Sequence, residues 1–265
     1  MKASFLTRLF DLISPRTCAV CGRRLSVNES VLCAACHLHL PLTRFWLSPY
    51  DNQMARLFWG QIPLAGGETG QRPNSMERAA ALFFYESHAQ PSKIIYDLKY
   101  HGHRNVAEDM GRIAAQTMAS SGFFDGIDLI VPVPLTRRRQ WSRGYNQSRE
   151  IAKGVSQVTG IPVENGIVKR TAFTGSQTRR HAWDRAQNVE SVFKLVAPQN
   201  AEHRHILIID DVVTTGATVT SCARQLCQAD DVRISILSLC FTKVLLILHI
   251  NIKRDHSFPG VAHSL

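Results

Sequence analysis

Short apolar runs alternate with segments of helical periodicity from about residue 76 to residue 241. The apolar runs predict buried strands at 80–85, 129–133, 206–209 and 232–241. Apolar residues recur at helical spacing after Asn105, the expected N-cap, and again over 146–158 and 218–227. Short apolar strands alternating with helices are typical of a mostly parallel sheet covered by helices on both faces, so the chain is predicted to be α/β.

Two further segments precede this pattern, and one follows it. Residues 1–42 hold four of the seven cysteines behind an amphipathic opening helix, and are predicted to form a small module. Residues 43–78 are interrupted by Pro and Gly and are interpreted as a connector. The α/β domain is therefore expected to span 79–243, with residues 244–265 as a C-terminal tail.

Composition excludes several protein classes. The chain has 265 residues and is 45% hydrophobic, which is enough for a buried core and unlike a disordered chain. No apolar run reaches the roughly 18 residues of a membrane-spanning helix, and the N-terminus lacks a secretory signal pattern. We therefore expect no membrane span and a cytoplasmic location. In that reducing environment the cysteines are interpreted as metal ligands, thiols or buried fillers.

The N-terminal cysteines form two closely spaced pairs. Cys18 and Cys21 are separated by two residues, as are Cys33 and Cys36, with 11 residues between the pairs. Two tight turns of this kind bring four sulfurs around one cation, and Zn²⁺ suits such a site best. The spacing predicts a structural, ribbon-like zinc module, and two pairs of reduced thiols are the alternative. Cys222, Cys227 and Cys240 are interpreted as small apolar fillers.

The positive charge is concentrated in one part of the chain. The net charge is +10, and residues 131–187 contain eleven Lys and Arg against three Asp and Glu. A local basic excess indicates a polyanionic partner, either nucleic acid or a phosphorylated small molecule. A solvated basic face without a ligand is the alternative interpretation.

An acidic pair follows the strand predicted at 206–209. Asp210 and Asp211 end this strand, and the small residues 214–217 lead into a helix. In an open α/β sheet the ligand lies beyond the carboxyl ends of the strands. The loop N–H groups, the Thr214, Thr215 and Thr218 hydroxyls and the helix dipole suit a phosphate, and the carboxylates suit vicinal hydroxyls. Phosphate and ribose together indicate a 5-phosphoribosyl group.

Two other interpretations of this stretch are less favoured. A receiver domain also carries an acidic pair at a strand end, but it needs more chain afterwards and does not need the threonine loop. A purely structural strand end leaves two adjacent carboxylates without a role. The sequence contains neither Gly-x4-Gly-Lys nor Gly-x-Gly-x2-Gly, so the common nucleotide-binding motifs are excluded.

Residues 206–218 resemble the signature of type I phosphoribosyltransferases, which bind 5-phosphoribosyl 1-diphosphate (PRPP). More specifically, residues 16–243 resemble the ComF-type competence proteins, including GntX-like members, which join a four-cysteine zinc module to a phosphoribosyltransferase domain. Three further segments carry this resemblance, at 96–104, 131–147 and 169–188. It implies a type I phosphoribosyltransferase-like sheet and a PRPP ligand whose diphosphate and ribose oxygens carry Mg²⁺.

The resemblance also implies a set of site residues. Asp210 and Asp211 are the expected catalytic acids at the ribose. Residues 134–147 match the diphosphate loop, and 169–188 match a mobile loop that closes over PRPP. The expected PRPP-binding residues are Lys99, Arg143, Gly144, Tyr145, Asn146, Gln177, Arg185, Thr214, Thr215, Gly216, Ala217 and Thr218.

Three functions remain in competition. The first is a glycosyltransferase of the phosphoribosyltransferase type, which displaces diphosphate from C1 of PRPP with an unidentified acceptor. The second is a non-catalytic competence or DNA-uptake accessory protein that binds single-stranded DNA, or a DNA-processing partner, through its basic surface. Trp141, Tyr145, Phe173 and Trp183 are aromatic residues that suit base stacking or ordinary packing. The third is a PRPP sensor. The sequence leaves the oligomeric state open.

Overall fold

A computed structural model describes residues 15–62, 75–86, 89–100, 102–171 and 192–242, apart from the side chains of Ser75 and Arg137. The predicted N-terminal helix and the predicted tail at 244–265 lie outside these residues. The described helices are α1 (Ala34–Leu38), α2 (Gln53–Phe58), α3 (Ser92–Tyr100), α4 (Arg104–Met118), α5 (Arg137–Arg143), α6 (Gln147–Thr159) and α7 (Ala217–Leu226). The described strands are β1 (Ser75–Tyr85), β2 (Leu129–Pro132), β3 (Val168–Arg170), β4 (Phe193–Leu195), β5 (His205–Val213) and β6 (Arg233–Thr242).

Four of these strands form a parallel sheet in the order β1-β6-β5-β2. The order places the acidic strand β5 between β6 and β2, so the carboxyl ends of β2 and β5 lie side by side. The remaining strands, β3 and β4, pair antiparallel at the two ends of segment 172–191.

The sheet is covered on both faces because its strands are apolar at successive positions. On β5, Ile206 and Ile208 belong to one buried cluster, which also contains Phe58 of α2 and Val219 of α7. Leu207 and Ile209 belong to the opposite cluster, together with residues of α3, α4 and α6. This two-sided burial confirms the predicted α/β class, with a parallel sheet and helices on both faces.

Helices α4 and α6 cross in direct backbone contact. A Cβ atom on Gly111 of α4 would overlap the carbonyl oxygen of Ile151, and one on Gly154 of α6 would overlap that of Glu108. Both glycines therefore set the distance between the helices. This contact matters for the site because α6 begins at the carboxyl end of the sheet.

The cysteine module packs onto the same core as the sheet. Cys18, Leu32 and Leu40 are buried in the cluster that contains Phe83 of β1. The chain then runs beside β1, where the Phe84 N–H donates to the Pro41 carbonyl over 2.9 Å. The exposed edge of β1 is thereby covered, which protects it from pairing with another chain.

The structure corrects three details of the sequence interpretation. Helix α4 begins at Arg104 with His103 at its N-cap, two residues before the expected cap at Asn105. Residues 137–143, expected within a loop, form α5, because the Thr136 hydroxyl accepts a hydrogen bond from the Arg139 N–H and caps the helix. Strand β1 begins at Ser75, inside the segment predicted as a connector. In the described ranges no helix is both long and apolar enough to cross a bilayer.

Candidate functional site

The candidate site lies at the carboxyl end of β5. The strand continues through both acids as far as Val213, because Asp210 and Val212 remain paired with Ser238 and Cys240 of β6. The turn at 214–216 then leads directly into α7. The carboxylates are therefore held by the sheet itself, more rigidly than a loop would hold them.

The two carboxylates have different surroundings. Asp210 accepts two hydrogen bonds on Oδ1, from the Ser148 hydroxyl at 3.0 Å and from the Asp211 N–H at 2.9 Å. Asp211 accepts the Val212 N–H on Oδ1, and its Oδ2 lies 3.5 Å from Lys99 Nζ. Both oxygens of Asp211 are thus engaged, whereas Asp210 Oδ2 has no hydrogen-bond partner among the described residues.

Burial and a neighbouring charge make Asp210 a weak acid. Desolvation raises its pKa to about 7, and the Asp211 carboxylate adds to the increase. The hydrogen bonds from Asp211 and Ser148 and the charge of Lys99 act in the opposite direction. The charge of Asp210 therefore changes near neutral pH.

A small pocket adjoins Asp210. It is formed by the loop and by the first turn of α7, and is lined by Asp210, Val212, Val213, Thr214, Thr215, Gly216, Ala217, Thr218 and Val219. Among the described residues, the N–H groups of Thr214, Thr215, Gly216 and Thr218 have no acceptor. Free N–H groups at a helix N-terminus attract an anion, so this pocket suits a phosphate.

Gly216 gives the loop its shape. Its φ is +75°, in the left-handed region that glycine tolerates best. A Cβ atom at this position would lie 2.8 Å from Cε1 of Phe58, which is buried on α2. The α2 helix therefore supports the loop from behind.

Lys99 reaches the site from the last turn of α3. The end of this helix is held by two hydrogen bonds to the Leu98 carbonyl, from the Tyr145 hydroxyl at 2.7 Å and from Gln147 Nε2 at 3.0 Å. Tyr145 is buried, and desolvation raises its pKa to about 12. Tyr145, expected at the ligand, is thus bonded within the protein and fixes α3 against α6.

The N-terminus of α6 carries the residue that sequence reasoning missed. Asn146 caps this helix by accepting the Ser148 N–H at 3.0 Å, and its amide donates to the Val133 carbonyl at the end of β2. Ser148, in the first turn, is buried and contacts Asp210. The strand order explains this contact. Because β2 and β5 end side by side, the N-terminus of α6, which follows β2, lies next to Asp210.

The basic residues expected near the site differ in their contacts and burial. Arg143 donates to Gln147 at 3.1 Å, and Gly144 has a φ of +74° at the end of α5. Arg170 stacks on Phe193 with 5.1 Å between the guanidinium carbon and the ring centre. Burial and the positive charge of Arg139 lower the pKa of Arg170, whereas the negative charge of Asp210 raises it. The expected ligand residues Gln177 and Arg185, and the aromatic Phe173 and Trp183, lie outside the described residues.

Helix α5 presents an exposed basic and aromatic surface. Arg138 and Arg139 are exposed, and 93% of Trp141 is accessible to solvent. Trp141 therefore does not pack in the protein core, in contrast to Tyr145, which does. We call the exposed residues Arg138, Arg139 and Trp141 the α5 surface.

The four N-terminal cysteines meet at one point. The sulfurs of Cys18, Cys21, Cys33 and Cys36 all lie within 4.8 Å of one another. Cys21 and Cys33 Sγ are 3.7 Å apart, close to the separation of about 3.8 Å implied by tetrahedral Zn–S bonds of about 2.3 Å. The Cys36 N–H lowers the pKa of Cys33 to about 6, and Arg23 Nη2 lies 3.4 Å from the same sulfur.

The three remaining cysteines are not part of this cluster. Cys222 and Cys240 are fully buried, as expected of apolar fillers, whereas Cys227 is only partly buried at the end of α7.

These features define an α/β protein with a four-stranded parallel sheet, preceded by a four-cysteine module. DNA utilization protein YhgH of Escherichia coli K12 is 28% identical over 233 residues, covering 85% of this chain and 90% of the relative. Competence protein F of Haemophilus influenzae is 40% identical over 100 residues, or 37% of this chain and 44% of the relative. Both relatives support the resemblance of this chain to the ComF-type competence proteins.

Other comparisons give weaker matches. Competence protein ComFC of Bacillus subtilis is 29% identical over 100 residues, covering 38% of each chain. The solved glutamine PRPP amidotransferase of B. subtilis is 21% identical and covers 50% of this chain and 26% of its own, with a TM-score of 0.37. The chain matches no protein-family model.

Proposed function

We propose that this protein binds PRPP with Mg²⁺ at the carboxyl end of the parallel sheet. One observation carries the proposal: Asp210, whose Oδ2 has no hydrogen-bond partner among the described residues, lines the same small pocket as the loop residues with free N–H groups. A carboxylate oxygen and a cluster of N–H donors are complementary to a ribose hydroxyl and a phosphate.

Each part of the site has a role in this proposal. The loop N–H groups and the Thr214, Thr215 and Thr218 hydroxyls bind the 5-phosphate, and Asp210 accepts a hydrogen bond from a ribose hydroxyl. Asp211 lies beside it, paired with Lys99. The diphosphate and ribose oxygens of the ligand would carry Mg²⁺, which would neutralise part of the diphosphate charge. Arg143, Gln177 and Arg185 are the proposed diphosphate ligands.

The proposed reaction is a displacement at C1 of the ribose. A nucleophilic atom of the acceptor forms a bond to C1, and the bond from C1 to the diphosphate oxygen breaks, so diphosphate leaves with its electron pair. The proton of the acceptor passes to a base or to solvent. Enclosure by the basic segments would protect C1 from water. The acceptor is unassigned.

Calorimetric titration with PRPP and Mg²⁺ tests the binding proposal. The wild type should bind, and Asp210→Asn should bind at least about tenfold more weakly because a charged acceptor is lost. Asp230→Asn, on a turn before β6, is the control and should bind normally. A correctly folded wild type that shows no binding would refute the proposal.

The α5 surface supports a second candidate function, binding of single-stranded DNA. Arginine side chains attract the phosphate backbone, and an exposed indole stacks on bases. The relative YhgH is named a DNA utilization protein, which is consistent with this candidate. Trp141→Ala and Arg138→Ala/Arg139→Ala should each weaken binding of a fluorescent oligonucleotide and leave PRPP binding intact. Unchanged DNA binding in both variants would exclude this surface.

We also propose that the four-cysteine cluster holds one structural Zn²⁺. The sulfur separations fit tetrahedral coordination, and the Cys33 N–H donates to Cys18 Sγ at 3.4 Å, which favours the thiolate form. Metal analysis of the purified protein should give about one zinc per chain. A folded module that contains no metal would refute this assignment.

A further inference from the structure

The hydroxyl of Ser148 and the N–H of Asp211 both bind the same oxygen of Asp210. Their distances to Oδ1 are 3.0 Å and 2.9 Å, so this oxygen is fixed from two sides. Ser148 is buried, with 3% of its surface accessible. A buried hydroxyl with this geometry can rotate little, so it restrains the rotation of the Asp210 carboxylate.

Ser148 is itself held firmly in place. Its N–H donates to the Asn146 side chain, which is bonded in turn to the Val133 carbonyl at the end of β2. Farther along α6, Gly154 lies in backbone contact with Glu108 of α4. The position of Ser148 is therefore set by β2 at one end of α6 and by α4 along its length.

We propose that Ser148 is a positioning residue for the phosphoribosyl site, which holds Oδ1 of Asp210 so that Oδ2 is the oxygen that meets the ligand. This inference rests on the proposed function. If Ser148 acts in this way, ligand binding requires the hydroxyl group at residue 148, and a side chain of similar size without a hydroxyl does not suffice. An alanine at this position would leave Oδ1 held only by the Asp211 N–H and would remove a donor to the charged form of the carboxyl group.

Several charged or titratable groups act on Asp210 together with Ser148. Asp211 lies beside it on β5, Lys99 approaches from α3, Arg170 from β3, and Cys222 lies on α7. Burial and Asp211 favour the protonated carboxyl, whereas the Ser148 hydrogen bond and Lys99 favour the carboxylate. Loss of the Ser148 hydroxyl should therefore raise the pKa of Asp210, and ligand binding should require a higher pH.

Two measurements on the full-length protein test this inference. The first is titration of the Asp210 carboxyl by carbon NMR in the absence of ligand, for the wild type, Ser148→Ala and Ser148→Thr. The second is the calorimetric affinity for PRPP with Mg²⁺ between pH 6 and pH 9. We expect Ser148→Ala to titrate at higher pH and to bind about tenfold more weakly near pH 7, with much of the loss recovered at pH 9. Ser148→Thr, which keeps the hydroxyl, should restore the wild-type titration.

Ser156→Ala, on the same helix, is the matched control and should change neither measurement. An Asp210 titration in folded Ser148→Ala identical to that of the wild type would overturn the inference. So would a loss of affinity that is the same at every pH, because this would indicate a purely structural role. A wild type that does not bind PRPP would refute the proposed function, while the NMR titration would still decide whether Ser148 controls Asp210.

Discussion

The ring of Phe58 occupies the space that a Cβ atom on Gly216 would need. Cε1 of the ring would lie 2.8 Å from such an atom, and Gly216 has a φ of +75°. Two independent constraints thus require glycine at the N-terminus of α7. They connect the candidate phosphate loop to α2, a helix in the segment that the sequence predicts as a connector.

Substitution of Gly216 should destabilise the protein and reshape the loop. In Gly216→Ala the left-handed backbone costs about 1 kcal/mol, and displacement of Phe58 adds about 1–3 kcal/mol. PRPP binding should weaken as well, because the N–H groups of the loop no longer converge. Urea denaturation and calorimetry measure the two effects.

Gly160→Ala is the matched control for this prediction. Gly160 has nearly the same φ, +74°, but no atom lies within 4 Å of its missing Cβ. This variant should show only the backbone cost of about 1 kcal/mol. Equal losses in the two variants would show that contact with Phe58 does not constrain the loop.

The raised pKa of Asp210 predicts a pH-dependent stability. In the folded protein this pKa is about 7, above the ordinary value of about 3.9 for an unfolded aspartate. The folded state then binds more protons, so the group lowers the stability progressively as the pH rises from about 4 to about 7. Asp210→Asn removes this penalty and should stabilise the ligand-free protein by about 1–3 kcal/mol more at pH 8 than at pH 4.5.

Denaturation at several pH values checks the sign of this effect. Asp51 provides a control of opposite sign, since the hydrogen bond from Arg56 lowers its pKa. Its contribution to stability is present above the ordinary aspartate pKa and is lost on acidification, so Asp51→Asn should slightly destabilise the protein at pH 8. A stability difference between wild type and Asp210→Asn that is independent of pH would contradict the prediction.

The close crossing of α4 and α6 predicts that alanine is harmful at Gly154. Alanine normally favours a helix by about 1 kcal/mol, but here its Cβ would overlap the backbone of Glu108. We expect a net loss of about 3 kcal/mol in the free energy of unfolding, together with weaker PRPP binding because Ser148 moves with α6. Gly166→Ala, in a loop where the new Cβ would lie 3.3 Å from a Glu164 carboxylate oxygen, should be almost neutral.

A double variant makes this test sharper. The new methyl group in Gly111→Ala would overlap the backbone of Ile151 at the same crossing. A single increase in the distance between the two helices would therefore accommodate the methyl groups of both variants. The combined loss in Gly111→Ala/Gly154→Ala should therefore be smaller than the sum of the single losses. Strict additivity would show that the two glycines are not part of one contact.

The parts of the site that follow from the sequence are those whose chemistry lies in neighbouring residues. Asp210, Asp211 and the loop at 214–217 are contiguous in the chain, and the four cysteines form two local pairs. Such short patterns can be interpreted from the sequence, because a strand end or a tight turn places neighbouring residues close together in almost any fold. The two-faced burial of the strands likewise follows from their unbroken apolar runs.

The parts that do not follow depend on contacts between distant segments. Ser148 is an ordinary first-turn serine until β2 and β5 are known to be neighbours, and Phe58 has no visible relation to Gly216 in the chain. The unequal environments of Asp210 and Asp211 also need the fold, because successive residues of a strand point to opposite faces and meet different helices. A single sequence contains the necessary residue types but not the order of the strands.

Removal of the proposed metal should unfold the module without unfolding the sheet. Its cysteines lie within residues 18–36, whereas the sheet is held by its own strand pairing and by helices on both faces, so the sheet keeps most of its contacts. After chelation we expect backbone amides of residues 15–42 to lose hydrogen-exchange protection while β5 and β6 retain theirs. Cys36→Ser should reproduce this pattern, and Cys227→Ser, at the end of α7, should not. Undiminished protection of residues 15–42 in a metal-free sample would contradict a metal-dependent module.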